Sequence, residues 1–426
     1  MIQSHIMSVL PRRLIANLWA SQETRISLSH LAVASKQKIN YQQHDVPIAT
    51  SPSFLCSELP IRYTHILRLL SSLNSDSLQN PVIRNVAHRY LSDICTMLHP
   101  SLRQTSPRAF SNTIRKLRQR QASTLIRLRY ALASSSTATS HSIIVMDQIN
   151  AVSLGIHFLL DQHVSWHRQT GNQAQVICPI DIAHQAVTDA RSMCADTFGE
   201  SNVPQVSIKK SGSHPLEVIH VPHMLHRILY ETTLLGLRSH YTQPHPQEKT
   251  WWQRLFPSRK QPALQLDVFG GPTSIGFRLN NSAMLSHHDL QHDIPRDPMG
   301  VPTCASVLRQ ASHSEEQEEE ENMEWFMLSG WRMAKTMACH FGGNLDVVSA
   351  EGLGSTMYLA LDRDSQLLER YPSHHHQRST HLSLQRATSQ LDAFLYAIAD
   401  PNTSFQYTSP ATHHHAVSLT AAVGHA

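Results

Sequence analysis

Four groups of residues in this 426-residue chain carry side chains that could do chemistry. The six cysteines, Cys56, Cys95, Cys178, Cys194, Cys304 and Cys339, lie far apart with no Cys-x-x-Cys pair, so neither a zinc site nor a disulfide framework is favoured and a reducing compartment is the default. Two histidine triplets, His374 to His376 and His413 to His415, could ligate a metal, but nothing around them fixes a coordination geometry, and they read as parts of a solvated low-complexity tail. The run SEEQEEEE places six glutamates between Glu315 and Glu321 and reads as a solvated acidic insertion. Glu231, in the helical stretch ILYETTLLGLR, read by itself is an exposed helical carboxylate.

The elements that must position such groups fall into two kinds. From about Ser53 to His167 the apolar residues recur with helical period, as in Leu55, Leu59, Ile66, Leu69 and Leu70, and again in Val82, Val86, Tyr90 and Ile94. This half reads as a bundle of at least four helices, with Pro100 and the Ser/Thr run Ser134 to Ser140 marking loops. After Arg168 the pattern becomes mixed. A short strand at Gln175 to Cys178 precedes an amphipathic helix from Ile182 to Thr197. Leu264 to Val268 and Ile275 to Leu279 flank the turn Gly270, Gly271 and Pro272 as a hairpin. A helix from about Trp331 to His340 then leads to a second hairpin, Leu345 to Ser349 with Thr356 to Leu361.

The expected organisation is therefore a segment 1–52, a helical bundle 53–170 for partner docking, an α/β domain 171–363, and a His/Ser-rich disordered tail 364–426. Residues 1–22 hold no acid, include Arg12 and Arg13, and space Ile6, Val9, Leu10, Leu14 and Leu18 helically. They resemble a mitochondrial presequence, or equally the first helix of the folded domain. The charge of +4, from 36 basic and 32 acidic residues, gives no nucleic-acid footprint, and no unbroken apolar run reaches the roughly 20 residues of a membrane span, so a soluble protein is expected.

Several segments together resemble the mitochondrial pyruvate dehydrogenase kinase and branched-chain α-ketoacid dehydrogenase kinase family. FLCSELPIRYTHILRLLSSL carries the E-L-P-[VI]-R signature of the opening bundle helix at Glu58 to Arg62. LGIHFLLDQHVSWH is similar to L-G-I-R-M-L-x-x-x-H, with Ser153 and His157 where the family has arginines. FGGNLDVVSAEGLGSTMYLAL is similar to the closing helix-to-hairpin segment with its G-x-G-[TS] turn at Gly352, Gly354 and Ser355. VICPIDIAHQAVTDARSMCADTFG and VPHMLHRILYETTLLGLR fit the strand and helices between them, so the resemblance spans about Ser27 to Arg363.

The resemblance implies an α+β fold, a helical bundle followed by a histidine-kinase-like ATPase domain. It also implies an ATP- and magnesium-dependent protein-serine/threonine kinase of the mitochondrial matrix. Its substrate would be the E1 subunit of an α-ketoacid dehydrogenase complex and its docking partner an E2 lipoyl domain, with a homodimer allowed. Glu231 falls at the family's general base, where a carboxylate accepts the serine proton. One turn on, where the family keeps a magnesium-ligating asparagine, stands Leu235, which has no lone pair to offer, and Arg238 fixes the register. A catalytically impaired pseudokinase is therefore the alternative. Asn281 falls at the adenine-binding aspartate without the glycines that follow it, in preference to a placement at Asp267, Gly270 and Gly271. Ser329 and Gly330, flanked by the bulky Leu328 and Trp331, fall at the phosphate-binding helix N-terminus. Gly352, Gly354, Ser355 and Thr356 complete the expected nucleotide contacts. The family's C-terminal Asp-Trp tail exchange is not expected, because no tryptophan lies beyond the α/β domain.

Overall fold

The computed structural model describes residues 11–32, 48–133, 140–168, 172–212, 214–242, 264–285, 290, 323–351, 353–371 and 382–399. The chain forms two compact units that are not contiguous in sequence: Met1–Ile26, His44–Thr170 and Tyr371–Ala426 in one, Ser27–Gln43 and Gly171–Arg370 in the other. Among the described residues the first unit is helical and the second mixed. This is the α+β class expected from the sequence.

The helical unit is built on α1 (Arg12–Ala20), α3 (Pro52–Leu70), α4 (Ser75–Gln79), α5 (Pro81–Leu98), α6 (Pro100–Gln104), α7 (Pro107–Ala133) and α8 (Ser140–Arg168); the intervening α2 (Leu28–Leu31) belongs to the other unit. Start signals are local. Ser51 accepts from the Phe54 amide at 3.3 Å and Asn80 from the Val82 amide at 2.9 Å, and Pro52, Pro81 and Pro100 each open a helix, where a missing N–H costs nothing. Leu55, Leu59, Ile66 and Leu70 of α3 and Val86, Tyr90 and Ile94 of α5 are all buried, and the two helices pack together. The apolar helix α8 is long enough to span a bilayer by length and composition, but most of its apolar stretch is buried inside the protein.

One expectation about the C-terminal segment is corrected. The tail is not wholly unstructured: Leu384–Ile398 forms α12, opened by Ser383, which accepts from the Arg386 amide at 3.4 Å. Leu391, Phe394 and Ile398 bury one face of it against α1 and α4. The first helix is an integral part of this unit, since Ile15, Ala16 and Trp19 are each 0% exposed. The segment after α1 is tied to α3 by polar contacts: Arg62 holds Glu58 at 2.9 Å and the Thr24 carbonyl at 2.8 Å, and His65 reaches Glu23 at 3.1 Å. Burial raises the Glu23 pKa, yet hydrogen bonding and charge from His65, with help from Arg25, bring it down to about 2.

The second unit carries β1 (Gln175–Ile177), α9 (Pro179–Phe198), β2 (Val206–Ser211), β3 (Val218–His220), α10 (Pro222–Thr242), β4 (Leu264–Gly270), β5 (Ser274–Asn281), α11 (Trp331–Cys339), β6 (Asn344–Ala350) and β7 (Gly354–Asp362). Five strands form one sheet in the order β2-β4-β5-β7-β6, parallel between β2 and β4 and antiparallel elsewhere, while β1 and β3 pair separately. Along β7, Met357, Leu359 and Leu361 are buried and Tyr358 is exposed, the alternation of a sheet with one covered face. Helices α9, α10 and α11 pack against it. The unit runs past Arg363 to Arg370, closed by the Arg370 amide on the His340 carbonyl at 2.8 Å and by His340 facing Glu369 at 3.4 Å, both fully buried.

Two buried histidines make stability acid-sensitive. Burial, opposed by hydrogen bonds to the Thr50 and Val221 carbonyls, pushes His163 and His220 down to about 4. An unfolded chain takes up these protons near pH 6.5, whereas the folded chain does so only near 4, so stability falls as pH drops between those values. Each histidine should remove about 2 kcal/mol by pH 5. Urea midpoints measured from pH 7 to 5 should fall, and His163→Gln should flatten the fall for the helical unit. A pH-independent midpoint would exclude the mechanism.

Candidate active site

The site is organised by one helix. On α10, Glu231 and Leu235 share a face at i,i+4 spacing, and Ser239 continues it. Leu235 is buried. The Glu231 carboxylate, largely buried, accepts from the Gly330 amide through Oε2 at 3.0 Å and pairs through Oε1 with the Arg227 guanidinium one turn earlier. Gly330 precedes α11, with φ +97 and no atom within 4 Å of where a Cβ would lie. Its N–H is one of the amides that a helix N-terminus leaves without an intrahelical acceptor. Residues 99 apart in sequence, each assigned separately to the expected chemistry, are thus in direct contact.

Arg227 is the residue sequence reasoning missed here. Its guanidinium lies 3.6 Å from the Trp325 ring centroid, its Nε donates to the Leu328 carbonyl at 3.3 Å, and Tyr230 meets Trp325 edge-on at 4.9 Å. It therefore ties the segment 323–330 to α10. The i,i+4 spacing of Arg227 and Glu231 was the available signal.

A second cluster forms at the far end of the same face. Asn281 is buried, its amide donates to the Gly236 carbonyl at 3.2 Å and the Ser239 hydroxyl at 2.7 Å, and its Oδ1 accepts from the Ala283 amide at 3.0 Å. Ser355 donates to the Ala283 carbonyl at 2.8 Å, and Thr356 to Asn280 Oδ1 at 3.3 Å. Gly354, with φ +91, sits so close that a Cβ there would lie 2.2 Å from the Asn281 carbonyl oxygen. Asn281, Gly354, Ser355 and Thr356 therefore come together, but their polar groups already hold the chain to itself. Ser329 bonds the Phe326 carbonyl at 2.7 Å. Arg238 is buried, and its charge partly opposes the burial that pushes the Cys194 thiol up to about 11.

At the alternative placement, the carboxylate is already engaged within the sheet. Asp267 lies mid-strand opposite Arg278, which it binds at 2.7 Å, and that partner helps hold its carboxyl below the usual range despite burial. Gly270 and Gly271 serve the hairpin turn, closed by the Gly271 amide on the Ser274 carbonyl at 2.8 Å. Gly352, the acidic run and both histidine triplets lie outside the described residues. Leu235, at the position where the resemblance expects the magnesium ligand, is a buried hydrocarbon and offers no oxygen, and no cluster of three or more His, Cys, Asp or Glu that could hold a metal occurs among the described residues.

The chain combines a helical bundle with an α/β unit whose acid-bearing helix faces a glycine at the N-terminus of another helix, consistent with the α+β, histidine-kinase-like fold that the resemblance implies. The sequence pattern of the mitochondrial branched-chain alpha-ketoacid dehydrogenase kinase family matches residues 25–186. The chain is 24% identical over 340 residues, covering 74% of itself and 86% of the relative, to the mitochondrial [pyruvate dehydrogenase (acetyl-transferring)] kinase of Arabidopsis thaliana. It is 23% identical over 240 residues, covering 51% of itself and 57% of the relative, to the isozyme 4 enzyme of Mus musculus. By these matches the chain is a divergent relative of the mitochondrial dehydrogenase kinases.

Proposed function

We propose that this chain is an ATP-dependent protein-serine/threonine kinase of the mitochondrial matrix, acting on the E1 subunit of an α-ketoacid dehydrogenase complex and docked through an E2 lipoyl domain, with slow and weakly magnesium-dependent turnover. The observation that carries it is the Glu231 carboxylate 3.0 Å from the Gly330 amide, which sets a proton acceptor beside a helix N-terminus suited to phosphate. In the reaction Glu231 takes the proton of the serine hydroxyl, the oxygen bonds to the γ-phosphorus, and the bond to ADP breaks. Arg238 and the cluster at Asn281, Gly354, Ser355 and Thr356 stand at the adenine end of this reading. Ser329 and Gly330 stand at the phosphates, and Gly352 is the further nucleotide contact that the resemblance implies. No step is drawn through magnesium.

A second reading, a pseudokinase that binds its complex without phosphorylating it, is favoured by Leu235 and by the internal satisfaction of Asn281. Calorimetric titration with ATP, with and without magnesium, separates the two alongside phosphorylation of E1. Wild type should bind ATP weakly with little magnesium dependence, and Leu235→Asn should strengthen binding about tenfold only when magnesium is present, because it restores an oxygen ligand. Tight magnesium-dependent binding by wild type would place the ligand elsewhere. Phosphorylation seen only with Asn at position 235 would favour the pseudokinase.

A further inference from the structure

Resting on that reading, the contacts around Gly330 carry one step more. The helix N-terminus that should receive phosphate already holds an anion, and that anion is Glu231. Its two oxygens are engaged, one by the Gly330 amide at 3.0 Å and one by Arg227. Arg227 is itself fixed by the Trp325 face at 3.6 Å, by the Leu328 carbonyl at 3.3 Å, and by burial to 2% side-chain exposure. A carboxylate engaged in this way is a poor proton acceptor, because accepting a proton gives up a charge-assisted bond. A phosphate cannot share the Gly330 amide with it.

We propose that Arg227 is a positioning residue that parks Glu231 on Gly330, so that the polyphosphate of the nucleotide must displace the carboxylate, and in doing so releases it toward the substrate hydroxyl. Binding of phosphate and freeing of the base are then one event. The short helical segment at 323–327, carrying Trp325, reports it, since Arg227 leaves the indole face when its carboxylate partner moves.

The probe that isolates this step is inorganic tripolyphosphate, which has the charge of the nucleotide without adenine. Titrated calorimetrically into the full chain, it should bind Glu231→Gln about tenfold tighter than wild type. Glu231→Asp keeps the charge but is one methylene short of the Gly330 amide, and it should also bind tighter than wild type, which simple charge removal would not produce. Trp325 emission, isolated by difference from Trp325→Phe, should change on tripolyphosphate addition to wild type. It should stay constant with adenosine, and with tripolyphosphate in Arg227→Met. Circular dichroism melts of each variant establish folding. Equal or weaker tripolyphosphate binding by both Glu231 variants, no measurable binding by any variant, or an unresponsive Trp325 in wild type would overturn the inference. Tighter binding by the variants in a protein that never phosphorylates E1 would uphold it and overturn the kinase reading alone.

Discussion

Trp19→Ala should lower the stability of the helical unit by about 3 to 5 kcal/mol, the range for deleting a large aromatic from a closed core. The indole is 0% exposed, lies 5.9 Å from the Phe394 ring, and donates to Gln390 Oε1 at 3.3 Å. Its backbone carbonyl accepts from Arg68 at 3.0 Å, which also holds the end of α1 against α3. The substitution opens a cavity and leaves Gln390 without its ring donor, and it loosens α12 as well as α1. Urea unfolding followed by circular dichroism checks it, with Phe394→Ala as a companion. Because the two rings touch, the double mutant should lose less than the sum. A loss under about 1 kcal/mol would mean that α1 and α12 are only loosely attached to each other.

That junction shows where the sequence was legible and where it was overlooked. Leu384, Ala387, Leu391, Phe394, Leu395 and Ile398 carry a helical period, yet the histidines and serines around them drew the whole tail into one compositional class. The first helix was ambiguous for a physical reason: a presequence and a buried amphipathic helix share the same pattern, and Ile15 and Trp19 are buried within the helical unit.

In the mixed unit both hairpins were readable, since each pairs two alternating runs across a glycine-containing turn. Strand β2 was missed because VSIKKS has one apolar side and a basic end, as befits an edge strand, and its parallel partner β4 begins more than fifty residues later. Of the site, residue types were legible and contacts were not. Nothing local in WFMLSGWRMAK says that the Gly330 amide meets Glu231, and nothing in IGFRLNNSA says that Asn281 spends its amide on Gly236 and Ser239. Those pairings come from the way α11 and β5 pack on α10.

The same geometry sets the largest kinetic effect expected. If Glu231 is the base, Glu231→Gln should cut kcat for E1 phosphorylation by about 10² to 10⁴, the usual contribution of a positioned proton acceptor. The amide retains a similar shape and can still accept from Gly330 through its oxygen, so the fold of α10 and α11 should persist. It cannot take the serine proton. KM for the E1 substrate should change little, because Glu231 is buried against Gly330 and Arg227 rather than spread on a docking surface. A split in which KM rises while kcat holds would make Glu231 a substrate-binding residue. Unchanged values of both would move the base elsewhere, and Asp189, hydrogen-bonded to His226 at 2.8 Å five residues before Glu231, would be the next group to replace. Phosphoserine formation by mass spectrometry under single-turnover conditions measures the chemical step without interference from slow ADP release.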